Sequence, residues 1–269
     1  MSLLGAKNLS VETDGRTTDC VRFGRGNRPL VMIPGVGDGL KTVRGMALPF
    51  AWLYRELAED FTVYVFSRPR ELREGETTRD MAASLKSAMD ALGICPAAVV
   101  GVSQGGMIAQ WLAIDFPKAV SRLVLTVTLS RPNPAAEDAI GRWIEMACRG
   151  DHRGIMTDTA ERSYTPERAA REVKLYSLLA GAAKPADFGR FMIQAQSCLS
   201  HDAYSKLDRI KCPAMVIGGT EDRIVTGDAS REIAERIPDC RLLMYEGLGH
   251  GLYEEAKDFL ERVSEFCRE

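Results

Sequence analysis

The 269-residue chain reads as an α/β protein: a mostly parallel sheet with helices on both faces and one helical insertion. Three observations predict this. Short apolar runs alternate with stretches of helical spacing up to about residue 130 and again from about residue 200, as a parallel sheet with crossover helices requires. Between residues 131 and 199 the alternation stops and the pattern is helical, broken by Pro132, Pro134, Pro166 and Pro185. Finally, Gly101-Val102-Ser103-Gln104-Gly105 joins an apolar run to a helical one through a turn of almost no length.

Leu9–Glu12 and Asp19–Phe23 flank a polar turn with Asp14-Gly15 and read as an antiparallel hairpin at one sheet edge. Leu30–Ile33 is a short strand entering Pro34-Gly35-Val36-Gly37-Asp38-Gly39, a loop too glycine-rich for helix or strand interior. Phe50, Leu53, Tyr54 and Leu57 give residues 49–60 an amphipathic helical pattern, and Phe61–Phe66 a buried strand. The basic segment with Arg68, Arg70 and Arg73 follows where strand ends face a ligand crevice. It reads either as a carboxylate-binding fork or as a solvated loop with local ion pairs. Thr77 and Asp80 fit a capping pair for a helix with Met81, Leu85, Met89 and Leu92 on its apolar face, ending near Gly93.

The run Ala97–Val102 is a buried strand, Met107–Phe116 a helix buried on most sides, and Leu123–Leu129 a further strand. Met146, Met156, Met192, Trp143, Tyr164, Tyr176, Phe188 and Phe191 give the insertion ample apolar surface, either to line a pocket against the sheet or to pack helix on core. Ala214–Gly218 resumes the sheet, residues 228–237 form a crossover helix, Arg241–Tyr245 is the last strand, and residues 253–267 close the chain as a helix. The boundaries are therefore a core of residues 1–130 and 200–269 and a cap of residues 131–199.

Thirty-five Lys and Arg against 37 Asp and Glu leave a net charge of −2, so no global field favours nucleic acid or an anionic membrane. A small-molecule substrate is the expected partner, with a homodimer left open. No apolar run approaches the ~20 residues of a membrane span, and the first ten residues carry no signal pattern; a cytoplasmic protein is expected. The seven cysteines are odd in number and lack Cys-x-x-Cys or finger spacing, which fits reduced, mostly buried side chains. No Rossmann glycine pattern or internal repeat is present.

At Gly-x-Ser-x-Gly the missing Cβ atoms of Gly101 and Gly105 let strand and helix approach while Ser103 takes a strained backbone and presents its hydroxyl. With Val31–Gly37, Val216–Asp222 and Gly247-Leu248-Gly249-His250, this segment makes the sequence resemble the α/β-hydrolase superfamily of esterases, lactonases and peptidase-like enzymes over nearly the whole chain. The resemblance implies an eight-stranded sheet, a helical cap, and a nucleophile, acid and base in the order Ser103, Asp222, His250. It also implies an oxyanion hole, to which Val36 and Gln104 are assigned as backbone N–H donors. The sequence departs from many relatives in carrying Pro34 where they have His, and proline offers no N–H.

The residues themselves support these roles. A neutral serine needs a base near working pH, and that base an acidic partner. Of three histidines, His152 lies in a polar turn of the insertion and His201 at the return to the core; His250 alone sits in a Gly-flanked loop after the last strand. Asp222 lies just past a strand end and is preferred over Glu221, Asp228 and Asp202. The expected activity is hydrolysis of a small ester or lactone through an acyl-enzyme, with neither metal nor organic cofactor. C–C bond or small-peptide hydrolysis, and small-molecule binding without turnover, are the alternatives. A serine at the elbow argues against dehalogenase chemistry, for which the superfamily places Asp there.

Overall fold

The computed structural model describes residues 3–179 and 184–269; residues 1–2 of the expected core and 180–183 of the expected cap lie outside the described residues. Strands β1 (Lys7–Thr13), β2 (Arg16–Phe23), β3 (Arg28–Ile33), β4 (Phe61–Pro69), β5 (Ala97–Val102), β6 (Val120–Thr126), β7 (Ala214–Gly219) and β8 (Cys240–Tyr245) form one sheet. Its order is β1-β2-β4-β3-β5-β6-β7-β8. The first two pairings are antiparallel and all the others parallel. The chain runs from β3 outward to β4 and then returns to place β5 on the other side of β3. The strand order therefore reverses between β3 and β5, and a crevice opens at their carboxyl ends.

Helices α1 (Ala47–Leu53), α2 (Thr78–Ala91), α3 (Gln104–Asp115), α4 (Pro134–Cys148), α5 (His152–Ser163), α6 (Pro166–Leu179), α7 (Gly189–Leu199), α8 (Gly227–Arg236), α9 (Leu252–Glu255) and α10 (Phe259–Arg268) complete the described residues. Alternate strand residues feed opposite layers. Val31, Ile33, Val99 and Leu123 pack with α2, α3 and α8, whereas Leu30, Met32, Val100 and Val124 pack with α1 and α10. Burial on both faces explains why the central strands read as continuous apolar runs. The α2 capping box forms as the sequence predicts, with Thr77 and Asp80 each bonding the other's backbone N–H.

Three expected elements differ. The single helix over 49–60 is α1 followed by a 3-10 turn, Arg55–Ala58, and this break brings both Leu57 and Ala58 into the core. The strand over 123–129 stops at Thr126 because Val127 adopts φ 43°; Val127, Thr128 and Leu129 are buried turn residues, and the apolar run conceals the bend. The closing helix over 253–267 is α9 and α10, separated at Ala256, which is extended. Buried Leu252 and Phe259 are seven apart, a spacing that hides the break.

Between β6 and β7, where the insertion over residues 131–199 is expected, the described residues carry α4 to α7. Trp143, Ile155, Phe188 and Phe191 pack with Met107 of α3 and with Leu129 and Ile224. His152 opens α5 and is buried, tilted against the Phe188 ring, rather than standing in a polar turn. Among the described residues no helix is long and apolar enough to cross a membrane.

Candidate active site

Ser103 sits between β5 and α3 at φ 54° and ψ −121°, a left-handed backbone that a serine holds only when its surroundings impose it. Those surroundings are specific. The Ser103 N–H donates to the Thr126 carbonyl at 2.9 Å, and its carbonyl accepts from Gly106 N–H at 2.8 Å and from Thr128 Oγ1 at 2.8 Å. A Cβ at Gly101 would lie 2.4 Å from the Gly105 carbonyl, and one at Gly105 would lie 1.9 Å from the Ile33 carbonyl. Both glycines are thus sites of close backbone approach, and the second brings the first turn of α3 onto the end of β3.

The loop after β3 faces this turn. Val36 opens a 3-10 turn, Val36–Gly39, and Gln104 is the first residue of α3. Leading N–H groups of such turns have no partner within the helix, so both positions are free to donate toward a ligand. An arginine holds the two segments together. Arg68 leaves the end of β4 and is 3% exposed. Its Nη2 donates to the Pro34 carbonyl, to the Gly35 carbonyl at 3.4 Å and to Gln104 Oε1 at 2.7 Å. Gln104 Nε2 in turn donates to the Gln194 carbonyl at 2.7 Å and to Ser197 Oγ at 3.0 Å on α7. Burial pushes the Arg68 guanidinium below its ordinary range, opposed by the Asp38 charge.

Asp38 is a second buried charge in the same loop. Its Oδ2 accepts from the Arg68 backbone N–H at 3.1 Å, from Arg190 Nη2 at 3.1 Å and from Gln194 Nε2 at 3.3 Å. Arg190 also donates to the Asp38 carbonyl at 2.7 Å. Arg70, paired with Asp19, and exposed Arg73 fit the reading of a solvated loop with local ion pairs. Arg68 fits neither reading: it is buried as an internal tie under the glycine loop. The Gln104 side chain, Asp38, Arg190 and Gln194 were not singled out by the sequence. The available signal was an acid inside a run of glycines, Gly37-Asp38-Gly39.

Asp222 and His250 come from the loops after β7 and β8. These loops are stitched by Glu221 N–H to the Leu248 carbonyl at 2.9 Å and Gly247 N–H to Thr220 Oγ1 at 2.9 Å. His250 Nδ1 and Asp222 Oδ2 are 2.8 Å apart, and Asp222 Oδ1 accepts from Ile224 N–H at 2.8 Å and Val225 N–H at 3.0 Å. Burial alone would raise the Asp222 carboxyl; the charge and hydrogen bond of His250 and the two backbone N–H groups outweigh it and hold the carboxyl below its ordinary range. The alternatives Glu221, Asp228 and Asp202 are all exposed. His201 is buried, 2.8 Å from Thr78 Oγ1 through Nδ1, and burial pushes it down to about 3, so it stays neutral.

Ser103, Val36 and His250 line one chamber of about 360 Å³. Trp143, Tyr164 and Tyr176 of the insertion line it too, whereas Phe188, Phe191, Met146 and Met192 belong to the apolar cluster that packs these helices onto Met107, Leu129 and Ile224; Met156 is half-buried. Both readings of the insertion's aromatic residues therefore hold, for different residues. A groove of about 430 Å³ beside α2 contains no nucleophile with a base; it is walled by charges such as Arg16 and Glu76, which pair with each other. Among the described residues no cluster of three or more His, Cys, Asp or Glu is placed to hold a metal ion.

A serine lifted on a strained turn at the switch point of a parallel sheet, facing the same chamber as an aspartate-bonded histidine, places this protein among the α/β enzymes built around a nucleophile elbow. Residues 30–262 match the model of the alpha/beta hydrolase family, and the chain belongs to that family. It is 30% identical over 203 residues to the 2-hydroxy-6-oxo-6-phenylhexa-2,4-dienoate hydrolase of Comamonas testosteroni, covering 70% of this chain and 68% of that one. It is 28% identical over 269 residues to the pimeloyl-[acyl-carrier protein] methyl ester esterase of Chromobacterium violaceum, covering 96% and 97%. The solved enol-lactonase of Burkholderia xenovorans shares the fold, with a TM-score of 0.81 at 20% identity over 97% of this chain and 100% of the other.

Proposed function

We propose that this hydrolase cleaves a small ester or lactone through an acyl-enzyme on Ser103, under a cap formed by residues 131–199. The observation that carries the reading is the joint placement of Ser103, at φ 54°, and His250, bonded to Asp222 at 2.8 Å, on one chamber wall. With Nδ1 engaged by Asp222, His250 Nε2 is the nitrogen left to take the serine proton. Ser103 Oγ adds to the carbonyl carbon, and the carbonyl oxygen becomes an oxyanion held by the N–H groups of Val36 and Gln104. Collapse breaks the bond to the leaving oxygen, which receives the proton from His250. Water, deprotonated by His250, then adds to the acyl-enzyme and releases the acid and free Ser103.

A second reading, C–C bond hydrolysis, is favoured by the 30% identity to the Comamonas testosteroni enzyme, whose named substrate is a keto acid with no ester or lactone to cleave. Ligand binding without turnover is disfavoured by the presence of all three of Ser103, Asp222 and His250. The test is a time course with short-chain p-nitrophenyl esters, with mass detection of acylated Ser103, alongside Ser103→Ala. Ester turnover and an acyl adduct that both vanish in the variant are the expected results. Equal activity in the variant would refute the nucleophile assignment.

A further inference from the structure

Beside the main chamber lies a second, smaller cavity of about 90 Å³. The two share Pro34, Gly35, Phe50, Val102 and Tyr253 in their walls, so they meet at the glycine loop next to Ser103. The floor of the small cavity is a row across three adjacent strands: Met32 of β3 is in register with Val65 of β4 on one side and Val100 of β5 on the other. Its roof is Phe50 and Tyr54 of α1, whose rings stack at 5.9 Å, with Tyr253 of α9. No charged side chain lines it. The main chamber differs in chemistry, presenting Lys41, Thr42, Thr159, Ser163 and Glu254 along with its aromatic residues.

We infer that the small cavity is the acyl pocket, and that the substrate is the ester of a short apolar acid with a polar alcohol. This rests on the serine-hydrolase reading above. His250 has to protonate the leaving oxygen, so the leaving group lies on the side of the serine that His250 occupies. His250 lines the main chamber and not the small cavity. The group that extends away from His250 is therefore the acyl group, and the space open to it there is the apolar cavity. At the ~30 Å³ that a water-sized group occupies in a liquid, the cavity of about 90 Å³ holds roughly three such groups beyond the carbonyl carbon, an acyl chain of about four carbons. The polar lining of the main chamber suits an alcohol that carries further hydroxyl or amide groups.

The test compares p-nitrophenyl esters from acetyl to decanoyl, with two variants that alter only the small cavity. The native protein is expected to peak in kcat/KM at about four acyl carbons and to fall at least tenfold by decanoyl. Met32→Ala deepens the floor and shifts the optimum longer by about two carbons; Val65→Leu raises it and shifts the optimum shorter. In parallel, the Ser103→Ala protein, which forms no acyl-enzyme, is melted with butyrate or decanoate at equal concentration, and butyrate alone is expected to raise Tm. A flat or long-chain profile, an optimum that neither variant moves, or a larger shift with decanoate would overturn the inference. Absence of turnover at every chain length would instead refute the esterase reading, while the acid series still decides the cavity.

Discussion

Replacing Asp222 by Asn tests the proposed charge arrangement with almost no change in shape. Asp222 uses Oδ1 to accept two backbone N–H groups, from Ile224 and Val225, and Oδ2 to face His250 Nδ1. An asparagine has one oxygen to place. Turning its amide nitrogen toward Ile224 and Val225 would set donors against two buried N–H groups, at a cost of about 1–3 kcal/mol each. The oxygen therefore stays on the loop, and the NH₂ faces His250. The imidazole must then accept at Nδ1 and carry its proton on Nε2, the nitrogen that has to receive the serine proton. Loss of the base in this way, as known for the equivalent Asp→Asn change in the chymotrypsin-type triad, costs about 10⁴ in kcat, or roughly 5.4 kcal/mol at 1.36 kcal/mol per decade. The assay is steady-state hydrolysis of p-nitrophenyl butyrate, with circular dichroism as the control for folding. KM should stay within about threefold, because the carboxylate touches His250 and the loop rather than the chamber. A folded variant that loses less than tenfold in kcat would refute the acid assignment.

The same carboxyl makes stability depend on acid. Its folded value lies below the ordinary one of about 3.9, so it contributes stability above that pH and loses it as pH falls through the folded value. Urea denaturation from pH 6 to pH 2 should show this loss in the native protein and a shallower one in Asp222→Asn. Gly105→Ala places a methyl 1.9 Å from the Ile33 carbonyl, a backbone atom that cannot yield, and should cost at least about 3 kcal/mol, lowering Tm by roughly 6–12 °C in a thermal melt. Arg68→Met removes the tie between the Pro34 and Gly35 carbonyls and Gln104, and is expected to lower kcat at least tenfold through misplaced oxyanion donors. Arg68→Lys should not restore it, since the lysine nitrogen ends about one bond short of Nη2, which makes all three bonds; full activity in either variant would show that the tie is dispensable.

What could be read from the sequence was whatever leaves a short-range pattern. The central strands declare themselves because both faces are buried, and the elbow because Gly101 and Gly105 answer steric demands that no other residue meets. His250 was legible as the one histidine in a glycine-flanked loop after a strand and Asp222 as the preferred of four acids, and the structure brings the two within hydrogen-bond distance. Breaks inside apolar runs were not legible: Val127 at φ 43° and the extended Ala256 interrupt patterns that remain apolar in composition. Arg68 was not legible for a related reason. A buried arginine and an exposed one look alike in sequence, and what makes Arg68 internal is its meeting with Pro34 and Gln104, each more than 30 positions away.

The Pro34 departure shows how that long-range chemistry compensates. Proline has no N–H to donate, but its carbonyl accepts from Arg68, and the same guanidinium reaches the Gln104 side chain, whose backbone N–H is a proposed oxyanion donor. Gln104 and Asp38 then pass the restraint to α7 through Gln194, Ser197 and Arg190. On the opposite side of the chamber the insertion grips the histidine loop: Gly251 N–H donates to the Ser163 carbonyl at 2.8 Å, Thr165 Oγ1 bonds Glu255 at 2.6 Å, and Arg168 pairs with Glu254. A Cβ at Gly251 would lie 2.3 Å from the Tyr164 ring, which makes glycine there a requirement of the insertion rather than of the loop. One set of helices thus fixes the proposed donors through α7 and the proposed base through the α5–α6 corner. Displacing the insertion would disturb both together, so the geometry of the site and the shape of its chamber are set by the same contacts.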